Sequence, residues 1–408
     1  MTDIWREDIF DNLVRLKRGY DLPNHNIVDG IYPVVASSKI KAYHNSSKAK
    51  PPTVVTGRSG TLGKVQYIKE LSWPLNTALY STSFRGNNPQ YVYYFLKKMH
   101  LENYNSGAGV PTLNQNHLQK LKIKIPPLKV QEKIAAVLSA YDDLIEINDN
   151  RINKLEAMIK ELYKEWFVRF RFPGWEFAAF DKDVPREWSF IKSDKMLSVV
   201  KGKSYKGSEI FNEYVDGSKP FLNLKNFYKH GGYRDNGLKY YTGKYSESQK
   251  VLHGDIVMAV TDMTQDRAIV GQVGRVPSLN QSFGVISLDT VKIIPKLYSN
   301  NFTYFYLRYS GFAETIKEFA NGANVLHLSP DQIVKQNILI PPSNLVKLFD
   351  SITIPLFENI ECLLKINDQL ESVKSQLLSR LISGKLSVDD LNIHYPPSMN
   401  TNNEATDK

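Results

Sequence analysis

Residues 106–127 and 321–342 are one segment written twice, and this duplication constrains the fold more than any other feature of the chain. SGAGVPTLNQNHLQKLKIKIPP and NGANVLHLSPDQIVKQNILIPP share Gly107/Gly322, Ala108/Ala323, Val110/Val325, Leu113/Leu328 and Lys120/Lys335. Ile123/Ile338, Ile125/Ile340, Pro126/Pro341 and Pro127/Pro342 match as well. A period this long is not that of a solenoid, whose repeats run to a few tens of residues. It implies two related domains. Upstream, Asp11 precedes Gly19 as Asp194 precedes Gly202, and Gly63 aligns with Gly271. The distance between matching residues grows along the chain, so the second unit carries insertions in its middle, where loops are expected.

Each copy runs into a helical pattern. Between Gln131 and Arg171 there is no glycine or proline. Ile134, Leu138, Tyr141, Ile145, Asn148, Ile152, Leu155, Ile159, Leu162 and Trp166 alternate at spacings of four and three, a sustained heptad with one polar member. A helix of that length reads as a spacer with a coiled-coil seam. After the second copy, Leu356, Ile360, Leu363, Asn367, Leu370, Lys374, Leu377 and Leu381 step the same way. Pro355 is expected to start or kink this helix and Gly384 to stop it. Aligning the two IND motifs sets Asn148 against Asn367, but the heptad phases then disagree, so the register of the second helix stays open.

Between these helices the chain carries short β-type runs broken by Gly, Pro and Asn, with helices predicted at 89–100 and 300–320. The fold class expected is α+β: two related α/β domains separated by two long antiparallel helices. The expected boundaries are 1–127 for the first domain, 128–172 for the first helix, 173–342 for the second domain and 343–388 for the second helix. A polar, disordered tail is expected over 389–408.

Fifty-two Lys and Arg against 42 Asp and Glu give a net charge of +10, which favours a polyanionic partner. The lone Cys362 excludes a disulfide framework or a cysteine zinc site. No stretch is apolar enough to span a membrane and the N-terminus lacks a signal sequence, so a cytoplasmic location is expected. Enzyme motifs are missing. Gly202-Lys203-Ser204 lacks the upstream glycine of a phosphate loop. Gly107-Ala108-Gly109 does not open a helix. There is no HExxH metal motif, and no Asn/Asp-Pro-Pro-aromatic motif of an amino-methyltransferase. The histidines, His117, His230 and His327 among them, read as loop or surface residues. The aromatic cluster Trp166, Phe167, Phe170, Phe172 and Trp175 reads either as a sticky surface or as packing of the helix onto its own domains.

What remains is DNA-reading chemistry. Loops in both units mix Lys, Arg, Asn, Gln, Ser and Tyr with glycine. Cations pair with phosphates, while Arg, Asn and Gln can bind base edges. The candidate contacts are Arg18, Lys39, Lys41, His44, Arg58, Ser59 and Lys64 in the first unit. In the second they are Lys203, Tyr205, Lys206, Lys225, Asn226, Thr261, Gln265, Arg267, Asn280 and Gln281.

With these residues in view, the chain resembles the specificity subunits of type I restriction-modification systems over nearly its whole length. VVTGRSGTLGKV, GAGVPTLNQNHLQKLKIKIPPL, QEKIAAVLSAYDDLIEINDNRINKLE, LYKEWFVRFRF, KIND and LLSRLISGKL carry the resemblance. PPSNLVKLFDSI departs from the family's Pro-Pro-x-x-x-Gln-x-x-Ile opening of the second helix. The resemblance implies two target-recognition domains, each reading half of a split double-stranded DNA site. It implies a non-catalytic chain without cofactors, docking adenine methyltransferase subunits that bind S-adenosylmethionine. Restriction subunits that translocate DNA with ATP and magnesium would join them. Two alternatives stand beside it: a self-contained DNA methyltransferase, and a structural coiled-coil protein without DNA readout.

Overall fold

A computed structural model describes residues 5–235 and 237–399. The chain forms two compact units, Met1–Asp149 with Lys365–Lys408, and Asn150–Leu364. Unit 1 is therefore built from both ends of the chain, and unit 2 from its continuous middle.

In unit 1, β-branched and aromatic runs make a four-stranded antiparallel sheet in the order Arg15–Arg18, Ala78–Ser83, Thr53–Gly57, Val65–Ile68. The central strand TVVTG is buried along its whole length. A smaller sheet places Tyr32–Val35 between Ile40–His44 and Trp73–Pro74, the last pairing parallel. Arg6–Ile9 pairs antiparallel with Lys122–Ile125, the strand that ends the repeated segment.

Unit 2 reproduces this plan. Its four-stranded sheet runs Leu197–Lys201, Thr290–Pro295, Ile256–Ala259, Val273–Arg275. Its second sheet also has a parallel pair, Lys219–Leu222 with Gly284–Ile286, but grows to five strands. Ser189–Lys192 pairs with Asn337–Ile340 as Arg6–Ile9 pairs with Lys122–Ile125. Helix Pro89–Lys98 is capped by Asn88, whose side chain accepts from the Tyr91 N–H. Ser299 does the same for Phe302 at the start of Asn300–Tyr309.

The matched glycines have matched reasons. Gly63 and Gly271 both sit at φ +81°, where a side chain would be strained. A Cβ on Gly19 would lie 2.3 Å from the Leu75 carbonyl oxygen, and one on Gly202 would lie 1.9 Å from that of Ser287. The extra residues of unit 2 are spread over several connections, the largest addition falling between the strands of the second sheet. The turn 36–39 of unit 1 becomes 223–238, and the loop 58–64 becomes 260–272.

The first long helix runs Leu128–Tyr163 and continues as a π-helical turn, Lys164–Val168. It ends by Phe170, at φ +56°, slightly short of the expected 172. The second runs Ser343–Ile382. Pro355 lies inside it rather than at its start; Pro355 and Ser351, whose carbonyl loses its helical donor, are both exposed, so water can serve that oxygen. Gly384 at φ +71° ends it, donating its N–H to the Leu381 carbonyl at 3.1 Å.

Within unit 1 the two helices are antiparallel. Lys133 reaches the Val388 carbonyl, Asp142 meets Lys374 at 2.8 Å, and Asn148 donates to Asn367 at 2.8 Å. The last contact settles the register left open by the heptad phases: the two IND motifs face each other. Asn367 in turn donates to Asp149 at 2.8 Å. Ile134, Leu138, Leu381 and Ile382 are buried in the unit 1 core, while Ile145, Leu370 and Leu377 are half-buried. Within unit 2, Ile152, Ile159, Ile360 and Leu363 are buried, with Leu155, Leu162 and Leu356 packed against them.

The aromatic junction goes inward in part. Trp166 and Phe167 are buried in the unit 2 core, and Phe170 and Phe172 lie against Trp188. Trp175 stays partly exposed. The tail expected to be disordered from 389 departs from that expectation through Met399. Ile393 and Met399 pack on the unit 1 core just after the buried Val388, so this polar stretch keeps two apolar anchors. The rest of the tail lies outside the described residues.

Candidate nucleic-acid interface

Among the described residues no group of His, Cys, Asp and Glu is arranged to hold a metal ion, and no helix is long and apolar enough to cross a membrane. The chemistry available is that of charged and amide side chains on loops.

In unit 1, Lys39 and Lys41 are exposed at the hairpin of the small sheet, with Lys41 donating to Asn24 at 2.6 Å. Arg18 is exposed at a sheet edge, 3.8 Å from Asp21. Lys64 is exposed at the end of the 58–64 loop. That loop is firmly held: Arg58 and Ser59 donate their N–H groups to Thr77, and Leu113 of the repeated segment donates to the Arg58 carbonyl at 2.8 Å. The Arg58 side chain is half-buried, its Nε donating to the Asn76 carbonyl at 2.9 Å. Its terminal nitrogens are the part left for a ligand.

His44 does not fit the DNA-contact set. It is 6% exposed, its Nδ1 is 3.1 Å from both the Val28 N–H and carbonyl, and its ring meets Trp73 edge-on at 5.2 Å. Alternation puts it on the inner face of its strand, where an aromatic partner outweighs exposure.

In unit 2, Lys203, Tyr205 and Lys206 line one shallow cleft with Tyr241, Gly243 and Lys244. Tyr205 stacks edge-on against Phe221 at 5.1 Å, which fixes the ring beside two ammonium groups. Lys225 and Asn280 are exposed. Gln281 is turned back to the Ser218 carbonyl at 2.9 Å, and Gln265 to the Ala323 carbonyl at 2.8 Å.

Three residues of the expected set serve structure instead. Asn226 is fully buried; it accepts from the Asn223 N–H at 2.9 Å and donates to the Arg234 carbonyl at 3.1 Å, closing a capping box. Thr261 is 2% exposed, with its hydroxyl 3.4 Å from His327 Nδ1. Arg267 is only partly exposed and ion-paired to Glu318. Asn226 holds its own loop's backbone, while Thr261 and Arg267 are turned to side chains of neighbouring segments.

Sequence reasoning missed the group that shapes the 260–272 loop. Asp262 is 1% exposed and accepts four hydrogen bonds, from the N–H groups of Ile269, Val270 and Thr264 and from the Thr264 hydroxyl. Burial opposes its ionisation, but the three N–H groups and the hydroxyl outweigh it and hold the carboxyl below the ordinary aspartate range. Only the Asp-x-Thr spacing hinted at this turn.

Residues 8–157 match the family described as the type I restriction modification DNA specificity domain. The chain is 27% identical over 353 residues to the MjaIX type I restriction enzyme specificity subunit of Methanocaldococcus jannaschii, covering 80% of this chain and 76% of that one. It is 24% identical over 324 residues to the MjaVIII specificity subunit of the same organism, covering 74% and 71%. Among solved structures, the type I restriction-modification system S subunit from M. genitalium superposes with a TM-score of 0.55 at 16% identity, over 93% of this chain and 96% of that one. That likeness establishes the shared two-domain α+β fold.

Proposed function

We propose that the chain is a type I restriction-modification specificity subunit, reading a bipartite double-stranded DNA site, one half-site per unit, for a larger enzyme. The observation that carries this reading is the repetition of one sheet plan in two units, with length differences confined to the connections between matching strands and largest at 223–238. A duplicated scaffold with divergent loops suits two related readers of two different sequences. The exposed lysines and the excess positive charge supply phosphate contacts.

In this reading the chain is non-catalytic and works in the cytoplasm. Adenine methyltransferase subunits, and restriction subunits that move and cut DNA, supply the chemistry. S-adenosylmethionine, ATP and magnesium belong to those partners. The helices act as the spacer between half-sites.

The test is an exchange. Residues 1–127 are replaced by the same region of a relative, and methylated adenines are mapped in cells carrying the partner methyltransferase. One half-site should change and the other persist. S-adenosylmethionine-dependent labelling of DNA by the isolated chain would overturn the non-catalytic reading, and scrambling of both half-sites would overturn independent reading.

A further inference from the structure

The 223–238 connection of unit 2 has no counterpart in unit 1, where a turn closed by the Ala36 N–H to the Lys39 carbonyl links the equivalent strands. Its residues 227–233 form a narrow finger. Phe227 and Tyr233 pair as an antiparallel rung, Tyr228 donates its N–H to the Gly232 carbonyl at 3.2 Å, and Gly231 donates to Tyr228 at 3.0 Å. Gly231 and Gly232 lie at φ +81° and +99°, which lets the chain reverse in so few residues. The root is fixed, because Phe227 is 2% exposed in a hydrophobic cluster with Leu222, Val251 and Val257. At the tip, Tyr228, Lys229 and His230 are all exposed, Tyr228 at 55%.

One side chain grips the finger from the side. Arg308, on helix Asn300–Tyr309, donates Nη2 to the Gly231 carbonyl at 3.1 Å and Nη1 to the Tyr304 hydroxyl at 2.7 Å. Its guanidinium lies over the Tyr309 ring at 5.1 Å, so the fork has little freedom. A Cβ on Gly232 would come within 3.3 Å of that guanidinium. The finger also meets another enlarged loop of unit 2. Gly232 donates to the Val273 carbonyl at 2.8 Å, and Lys229 lies 3.8 Å from Asp266. The largest insertion of unit 2 thus touches a second lengthened loop through the Lys229–Asp266 pair.

An aromatic ring, an ammonium and an imidazole at the end of a tight turn closed by one rung offer stacking, phosphate and base-edge contacts, and an element this narrow fits the major groove. We propose that the 227–233 finger is a base-reading element of unit 2 alone, and that Arg308 is the residue that positions it. The proposal rests on the DNA-reading function given above and names where unit 2 carries it out.

The test uses the full chain in complex with its methyltransferase partner, in competition binding against duplexes randomised in each half-site. Tyr228→Ala, at an exposed tip, should lower discrimination at one or two base pairs of a single half-site by on the order of tenfold or more, with unchanged thermal unfolding. Arg308→Gln should relax the same base pairs, a readout that general destabilisation would not reproduce. The other half-site should be unaffected in both. If neither variant changes either half-site while the wild-type complex selects a bipartite site, the finger is not a reader and the proposal falls. If only Tyr228→Ala changes it, the positioning role of Arg308 falls. A wild-type complex that selects no bipartite site would overturn the functional reading itself.

Discussion

His44 and Lys41 lie on the same short strand, yet only Lys41 presents its charge to solvent. If Lys41 or Lys39 meets a phosphate, its replacement by alanine should flatten the dependence of log affinity on log salt by about 0.9 for each phosphate no longer neutralised. His44→Ala should leave that slope unchanged and instead lower the denaturation midpoint, because it empties a site against Trp73. Salt titrations of DNA binding alongside urea melts separate the two outcomes. Asp262 makes a second case at this scale. Asp262→Asn sets an amide among four donors and can satisfy only part of them, so a loss of about 1–3 kcal/mol is expected by urea unfolding. The native carboxyl titrates below its unfolded value, so its contribution is complete above about pH 4 and is lost as pH falls through the lowered native value. An Asp262→Asn variant should therefore differ most from the parent at neutral pH and converge with it in acid.

Between the long helices, the seam of unit 1 is polar at two levels, Asp142 with Lys374 and Asn148 with Asn367, on either side of Ile145 and Leu370. Lys374 is only 6% exposed. Burial works against its charge, but hydrogen bonds from its ammonium to Asp142 and Glu371 outweigh that and raise its pKa. The Tyr94 hydroxyl also donates to Asp142 at 2.5 Å, tying the seam to helix Pro89–Lys98. Lys374→Met leaves Asp142, half-buried and still accepting from Tyr94, without its ammonium partner and should cost about 1–3 kcal/mol, whereas the double change with Asp142→Leu should recover part of that loss. A double-mutant cycle by chemical denaturation reads the coupling. The Lys374 contribution is present at neutral pH and is lost as pH rises through its raised native value.

These elements also mark what the sequence could and could not disclose. Periodicity located both long helices, because a sustained heptad has few other readings. The repeat disclosed two related domains, and matched glycines fell in matched turns. The register of the helices was not legible, since two heptad phases compete and only the Asn148–Asn367 contact decides between them. Site residues were least legible. Asn226, Thr261 and His44 belong to residue types that serve equally well for DNA or for a loop's own backbone, and burial alone separates the two uses.

At the scale of the whole molecule, unit 1 depends on residues contributed from the far end of the chain. Leu381, Ile382 and Val388 are buried in its core beside Phe10 and Leu13. A chain ending at residue 364 should therefore retain a folded unit 2 and lose protection in unit 1, which hydrogen exchange resolved by peptide would display. A spacer built on helices also predicts an insertion effect. Four residues added after Lys154 lengthen the first helix by about 6 Å at ~1.5 Å per residue, a little under two base pairs of DNA. If the variant assembles, the methylated site should keep both half-sites and widen the gap between them; an unchanged gap would show that the helix is not the ruler.

The discontinuity of unit 1 sets an order of events during synthesis. Unit 2 is complete as soon as residue 364 has cleared the ribosome, and chains fold domain by domain as they emerge. The N-terminal strands, made first, must wait through the whole of unit 2 for the helix segment that closes their core. A chain released early thus carries at most one finished reader, and an enzyme that needs both half-sites would never be directed to DNA by an unfinished subunit.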